Sequence, residues 1–140
     1  MPYSLDDLIV DIKDIILNEK IPNGSDKTCY FVSKALMDQN FISENLPDRQ
    51  NGEHPRQILY EDKETGFCVC GHVYSTEAIG SPHDHGPSWA IYGQASGETE
   101  MTDWEIVEER SNNEMIYVKP KKTYIMKAGD VHFYGVGEVH

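Results

Sequence analysis

The chain has 140 residues with 12 basic and 24 acidic side chains, which gives a formal net charge of −12 at pH 7. This length is enough for one domain with a single hydrophobic core, and the negative charge disfavours nucleic acid or an anionic membrane as a partner. The N-terminus is acidic and periodic and no apolar run is long enough to cross a bilayer, which predicts a cytoplasmic protein with no membrane partner.

The first third of the chain is predicted to be helical. Apolar residues between Leu5 and Ile16 follow the spacing of one helical face, and Ser4 with Asp7 three residues later is typical of an N-terminal cap. The stretch 21–24 ends this helix, and a second, less regular helix is predicted over 27–39. We therefore assign residues 1–50 to a helical N-terminal extension.

From Arg56 onward the apolar residues follow the period of strands. The segments 56–63 and 67–75 predict two strands joined by a turn at 64–66. Further strands are predicted at 88–94, 99–109, 113–119, 122–127 and 130–136. Short strands separated by Gly, Pro and Asn indicate a closed or sandwich-like antiparallel architecture over residues 56–140, within a single domain spanning 1–140.

Three cysteines, Cys29, Cys68 and Cys70, form no C-x-x-C pair. Their number and spacing indicate neither a disulfide framework nor a cysteine zinc site. Cys68 and Cys70 alternate along a predicted strand, and we interpret them as small apolar residues of the core.

His83 and His85 are separated by one residue in the stretch HDHGPSW. On a strand, residues two apart point to the same face, so these imidazoles would suit neighbouring positions on one metal ion. A histidine is more often a partly buried, hydrogen-bonded side chain, so the surrounding residues decide between the two interpretations.

These surrounding residues resemble the two motifs of the cupin family. His83 and His85 are followed by four residues, position 90, six residues and Gly97, and in the later stretch KAGDVH the residue Gly129 precedes His132 by three positions. The resemblance implies a mainly β chain, a cupin-type double-stranded β-helix or jelly-roll barrel preceded by N-terminal helices. It also implies a divalent metal held by His83, His85 and His132. Such a barrel normally continues past its third histidine, so we expect further residues beyond His140 in the complete protein.

Ala90 stands where cupins usually carry a glutamate ligand. Three neutral imidazoles leave a divalent ion with its full charge and open positions, which favours an anionic substrate that binds the metal directly. This donor set, with the run from HDH to QASGETE, resembles cysteine dioxygenase and related thiol dioxygenases. The resemblance implies a mononuclear Fe(II) enzyme, an oxidoreductase that uses O2 to convert a small anionic thiol to a sulfinic acid, and a homodimer.

Three further side chains are candidate catalytic residues. The strand that begins at Arg56 lies where the thiol dioxygenases have an Arg-containing strand, which implies that Arg56 binds the substrate carboxylate bidentately. Tyr92 lies two residues after Ala90 and Tyr134 two residues after His132, so strand alternation predicts that both point inward beside the metal. The alternatives are a surface arginine and ordinary barrel packing of the two tyrosines.

Two other functions agree with the same residues. Imidazole also suits Zn, Ni and Mn, so a non-redox metal cupin, such as an isomerase, lyase or hydrolase, stays open. A cupin that binds a small molecule without converting it is the other alternative, because the sequence identifies no general acid or base. The sequence gives His140 no role.

Overall fold

The computed structural model describes residues 2–46, 56–73, 80–110 and 115–140. The chain divides into two compact units, Met1–Ile79 and Gly80–His140. No helix in the described ranges is long and apolar enough to span a membrane.

The first unit contains three helices and a β-hairpin. Ser4 and Asp7 form a reciprocal capping box, since each side chain accepts a hydrogen bond from the other residue's backbone N–H, and this fixes the start of the first helix. Side chains of all three helices contribute to a buried cluster that includes Leu8, Ala35 and Phe41. The elements are α1 (Leu5–Asn18), α2 (Ser25–Leu36), α3 (Gln39–Asn45), β1 (Arg56–Glu61) and β2 (Cys68–His72).

The turn between the antiparallel strands β1 and β2 is organised by the buried carboxylate of Asp62. It accepts hydrogen bonds from the backbone N–H of Thr65 at 2.8 Å, from the Thr65 hydroxyl at 2.6 Å and from the Tyr60 hydroxyl at 2.7 Å. Lys13 of α1 lies 3.2 Å from the same carboxylate. The turn and α1 are therefore joined by a buried charge with several partners.

The second unit is built from two antiparallel strand pairs. In the shorter pair, Tyr92 lies opposite His132 and Ala90 opposite Tyr134. In the longer pair the register shifts near Trp104, which lies opposite Pro120, so the strand tolerates a proline beside a bulge. The elements are β3 (Ala90–Gly93), β4 (Glu98–Arg110), β5 (Met115–Lys127) and β6 (Val131–Tyr134), paired β3 with β6 and β4 with β5.

The structure confirms the N-terminal helices and the antiparallel strands, and it corrects other parts of the fold prediction. The chain is mixed rather than mainly β, because it contains three helices besides the strands. The third helix, α3, was not predicted, and it is capped by the Asp38 side chain, which accepts from the Asn40 N–H. The two strands predicted at 113–119 and 122–127 are one strand, β5. The described strands form three two-stranded sheets, none of them closed into a barrel, and the β1–β2 hairpin falls in the first unit. The single domain stays a prediction.

Candidate metal centre

Three histidines converge in the second unit. His83, His85 and His140 each offer a ligand nitrogen, and these atoms all lie within 4.8 Å of one another. Two backbone hydrogen bonds bring His83 and His140 together. The N–H of His83 donates to the carbonyl of His140 at 3.0 Å, and the N–H of His140 donates to the carbonyl of His83 at 2.9 Å. This reciprocal pair holds the segment after β6 beside the HDH stretch.

His83 and His85 precede β3 and do not lie on a strand, contrary to our prediction. Their ring centroids are 5.3 Å apart and their planes are inclined by 75°. The two histidines therefore meet through the conformation of an irregular segment, which is held at His83 by the backbone pair with His140.

Two of the ring nitrogens are in hydrogen-bond contact at a distance that also suits adjacent positions on one metal ion. Nε2 of His85 and Nε2 of His140 are 3.0 Å apart. Two nitrogens bound at about 2.1 Å and at about 90° to each other are separated by about 3.0 Å. His83 donates from Nδ1 to the carbonyl of Ser81 at 2.9 Å when that nitrogen is protonated, which leaves its Nε2 to bind a metal.

His140 forms the buried side of the cluster. Its side chain is only 6% exposed, whereas His83 is exposed. Among the described side chains, Nδ1 of His140 is the one buried nitrogen or oxygen without a hydrogen-bond partner. Burying a ring nitrogen without a partner costs free energy, so this position calls for a functional or structural explanation.

The electrostatics of the cluster favour neutral imidazoles. Burial, with smaller contributions from His83 and His85, lowers the pKa of His140 to about 4. Burial also lowers the pKa of His85, helped by the neighbouring His83. Neutral imidazole is the form that binds metal ions, so His85 and His140 are ready to bind at neutral pH.

His132, the predicted third ligand, lies outside this group of three. It is on β6, where its ring stacks on Tyr124 with centroids 5.1 Å apart and lies 4.5 Å from the ring of Tyr134. The third histidine of the cluster is instead His140. The sequence contains a pattern that could have identified His140, because Gly137 precedes His140 by three residues, just as Gly129 precedes His132. Spacing alone does not choose between two identical Gly-x-x-His patterns.

A turn explains why the later pattern reaches the cluster. Gly137 has a positive φ of 82°, a conformation that favours glycine, and the N–H of Glu138 donates to the carbonyl of Gly135 at 3.1 Å. The Glu138 carboxylate accepts from the N–H of Gly135 at 2.8 Å and closes the turn from the other side. The chain after β6 therefore reverses and returns His140 to the HDH stretch.

Both predicted tyrosines lie next to the histidine cluster. The Tyr92 hydroxyl is 3.2 Å from Nε2 of His85, and the Tyr134 ring stacks on His140 with centroids 3.9 Å apart. Arg56 begins β1 in the first unit, and its side chain lies outside the described residues. The catalytic roles of these three residues stay predictions.

Tyr134 is itself held by a chain of hydroxyl groups. The Tyr134 hydroxyl lies 2.5 Å from the Tyr124 hydroxyl. The Tyr124 hydroxyl in turn donates to the Asp103 carboxylate at 3.0 Å. Burial raises the pKa of Tyr134 to about 12, so its phenol keeps its proton at neutral pH. This Asp103–Tyr124–Tyr134 chain could not be predicted from the sequence, because its members come from three different strands.

Comparisons of the chain with protein-family models, with curated proteins and with solved structures found no significant match. Function is therefore inferred from the residues of the centre and from the motif resemblance.

Proposed function

We propose that the protein is a mononuclear metal-dependent cupin that uses Fe(II) and O2 to oxidise a small anionic thiol to a sulfinic acid. The observation that carries the proposal is the convergence of His83, His85 and His140 within 4.8 Å. The motif resemblance supplies the family and the reaction, and the histidine cluster supplies a place for the metal.

Iron is the metal that the motif resemblance implies for three histidines with open positions. Three ligands on one face of an octahedral ion, with the other positions open, are typical of non-haem Fe(II) oxygenases. Bound Fe(II) would supply the one-electron and O2 chemistry that amino-acid side chains lack.

The donor set favours an anionic substrate. Three neutral imidazoles cancel none of the metal's double positive charge, and Ala90 contributes no carboxylate. His83 is exposed whereas His140 is buried, so solvent reaches the cluster at His83. A thiolate has the negative charge that such a centre favours. Both atoms of O2 are transferred to its sulfur, so one thiol and one O2 give one sulfinic acid with no further oxidant.

The antiparallel strands of the second unit support the cupin assignment. A jelly roll is built from such pairs, and here the pairs are β3 with β6 and β4 with β5. The strand β3 follows the HDH stretch directly, and β6 precedes the turn that returns His140 to it. Closure of these strands into a double-stranded β-helix is part of the proposal.

Oxygen uptake tests this function. Protein purified without oxygen and loaded with Fe(II) is supplied separately with cysteine, cysteamine and 3-mercaptopropionate, while O2 consumption and sulfinate formation are measured together. We expect one thiol to give equal amounts of O2 consumed and sulfinate formed, with His140→Ala inactive and His132→Ala active. Protein that holds one iron per chain and consumes no O2 with any of these thiols would contradict the proposal.

A second function is favoured by the same donor set. Three histidines with an open position also form the site of catalytic zinc, which acts as a Lewis acid and activates bound water. The protein would then be a hydrolase, lyase or isomerase that works without O2. Full activity under strict anaerobiosis with zinc, and none with iron and thiol, would favour this alternative.

A further inference from the structure

We infer that Tyr92 is a fourth ligand, and that its phenolate oxygen binds the metal held by His83, His85 and His140. This inference rests on the metal site of the proposed function. It goes beyond that function by assigning a protein anion to the centre.

The distances around His85 carry the inference. Its Nε2 atom lies 3.0 Å from Nε2 of His140 and 3.2 Å from the hydroxyl oxygen of Tyr92. Donor atoms bound at about 2.0–2.1 Å in adjacent positions of one ion are separated by about 3 Å. The Tyr92 hydroxyl and this nitrogen are within hydrogen-bond distance of each other, and the same separation is expected of two neighbouring ligands on one ion.

The orientation of the Tyr92 ring agrees with this role. The ring packs edge-on against His85, with centroids 5.9 Å apart, and against His140, with centroids 4.9 Å apart. It also meets Tyr134 edge-on at 5.3 Å. Because three rings surround it and its backbone is paired with His132 across β3 and β6, Tyr92 is held in place beside the ligand nitrogens.

A bound phenolate would supply a negative charge that the three neutral histidines lack. Ala90 and Tyr92 are two residues apart on β3 and share a face of the strand. The anion that a glutamate at position 90 would supply is thus available from the next residue on the same face. Binding would release the phenol proton to solvent and leave one oxygen anion on the metal, so the centre would keep one of its two positive charges and would still attract the anionic substrate of the proposed function.

Optical and vibrational spectra of the ferric protein test the inference. The protein is loaded with Fe(II), oxidised by one electron in the absence of thiol, and assayed for iron content. Coordinated phenolate gives an absorption band in the visible region and tyrosine ring modes in the resonance Raman spectrum. We expect both signals in the wild type and neither in Tyr92→Phe, which should bind Fe(II) at least about tenfold more weakly.

Tyr134→Phe is the matched control. It removes a hydroxyl from the neighbouring tyrosine, whose oxygen is bonded to Tyr124, and it should keep both signals. Wild-type protein that holds iron but gives no phenolate modes would overturn the role of Tyr92 and leave the metal site intact, as would phenolate modes that persist in Tyr92→Phe. Wild-type protein that binds no iron would overturn the metal site and this inference together.

Discussion

The imidazole of His140 lies nearly flat on the phenol ring of Tyr134, with centroids 3.9 Å apart and planes inclined by 13°. Tyr134 is 1% exposed, so its ring is enclosed by neighbouring groups. The stack sets the plane of His140, while the backbone pair with His83 sets its position. Two independent constraints thus orient the buried histidine of the centre.

The first prediction concerns this stack. Tyr134→Leu removes the flat surface under His140, and we expect metal affinity to fall by about 10- to 100-fold, as is typical when a ligand loses the group that orients it. Tyr134→Phe keeps the ring and should bind metal with near wild-type affinity. Calorimetric titration of both variants with Fe(II) measures the difference. Equal Fe(II) affinities of the Tyr134→Leu and Tyr134→Phe variants would show that the stack does not position His140.

The second prediction concerns the hydroxyl chain behind the stack. Tyr124→Phe removes the hydrogen bonds to Asp103 and to the buried Tyr134 hydroxyl, and we expect a loss of about 1–3 kcal/mol in the free energy of unfolding. Urea unfolding measures this loss. The same change at Tyr30, whose side chain is 61% exposed on α2, should alter stability by less than about 0.5 kcal/mol. Similar values for the two variants would contradict a stabilising role for the chain.

The third prediction is a pH dependence that originates in the first unit. Hydrogen bonds from Thr65 and Tyr60 to Asp62 hold the pKa of that carboxyl well below its usual range. A depressed folded-state pKa stabilises the protein above the unfolded-state value of about 4, and this contribution is lost as the pH falls toward the folded-state value. We therefore expect Asp62→Asn to lower the Tm at neutral pH, with a difference from wild type that shrinks in acid.

Thermal unfolding followed by circular dichroism from about pH 7 to about pH 2 measures that effect. Glu64→Gln is the control, because Glu64 also contacts Lys13, at 3.2 Å, but its side chain is 62% exposed and screened by solvent. A constant Tm difference between wild type and Asp62→Asn across this range would contradict the assignment.

The features predicted well from sequence were those that depend on residues close together in the sequence. The Ser4–Asp7 cap starts α1 as expected, because both partners lie within one helical turn. The α3 helix was missed, since it has only seven residues and its cap, Asp38, lay inside the segment assigned to the preceding helix. We predicted two strands where the structure has the single strand β5, because a proline normally interrupts a strand. Pro120 is tolerated here because it lies beside a bulge.

The candidate site was predicted in part for a similar reason. His83 and His85 follow from one short motif, but the third histidine depends on how the chain turns after β6. The positive φ of Gly137 and the Glu138 contacts bring His140 into the cluster, whereas the earlier Gly-x-x-His pattern indicated His132, whose role as a ligand stays a prediction. The cytoplasmic location and the homodimer stay predictions.

The most direct test of the account is metal content after substitution of each histidine in turn. Wild type, His83→Ala, His85→Ala, His140→Ala and His132→Ala are loaded anaerobically with Fe(II), freed of excess metal and assayed for iron per chain, with folding checked by circular dichroism. We predict one iron per chain in wild type and in His132→Ala, and little in the other three variants. Iron retained by folded His140→Ala and lost from folded His132→Ala would contradict the centre described here and restore His132 as the third ligand.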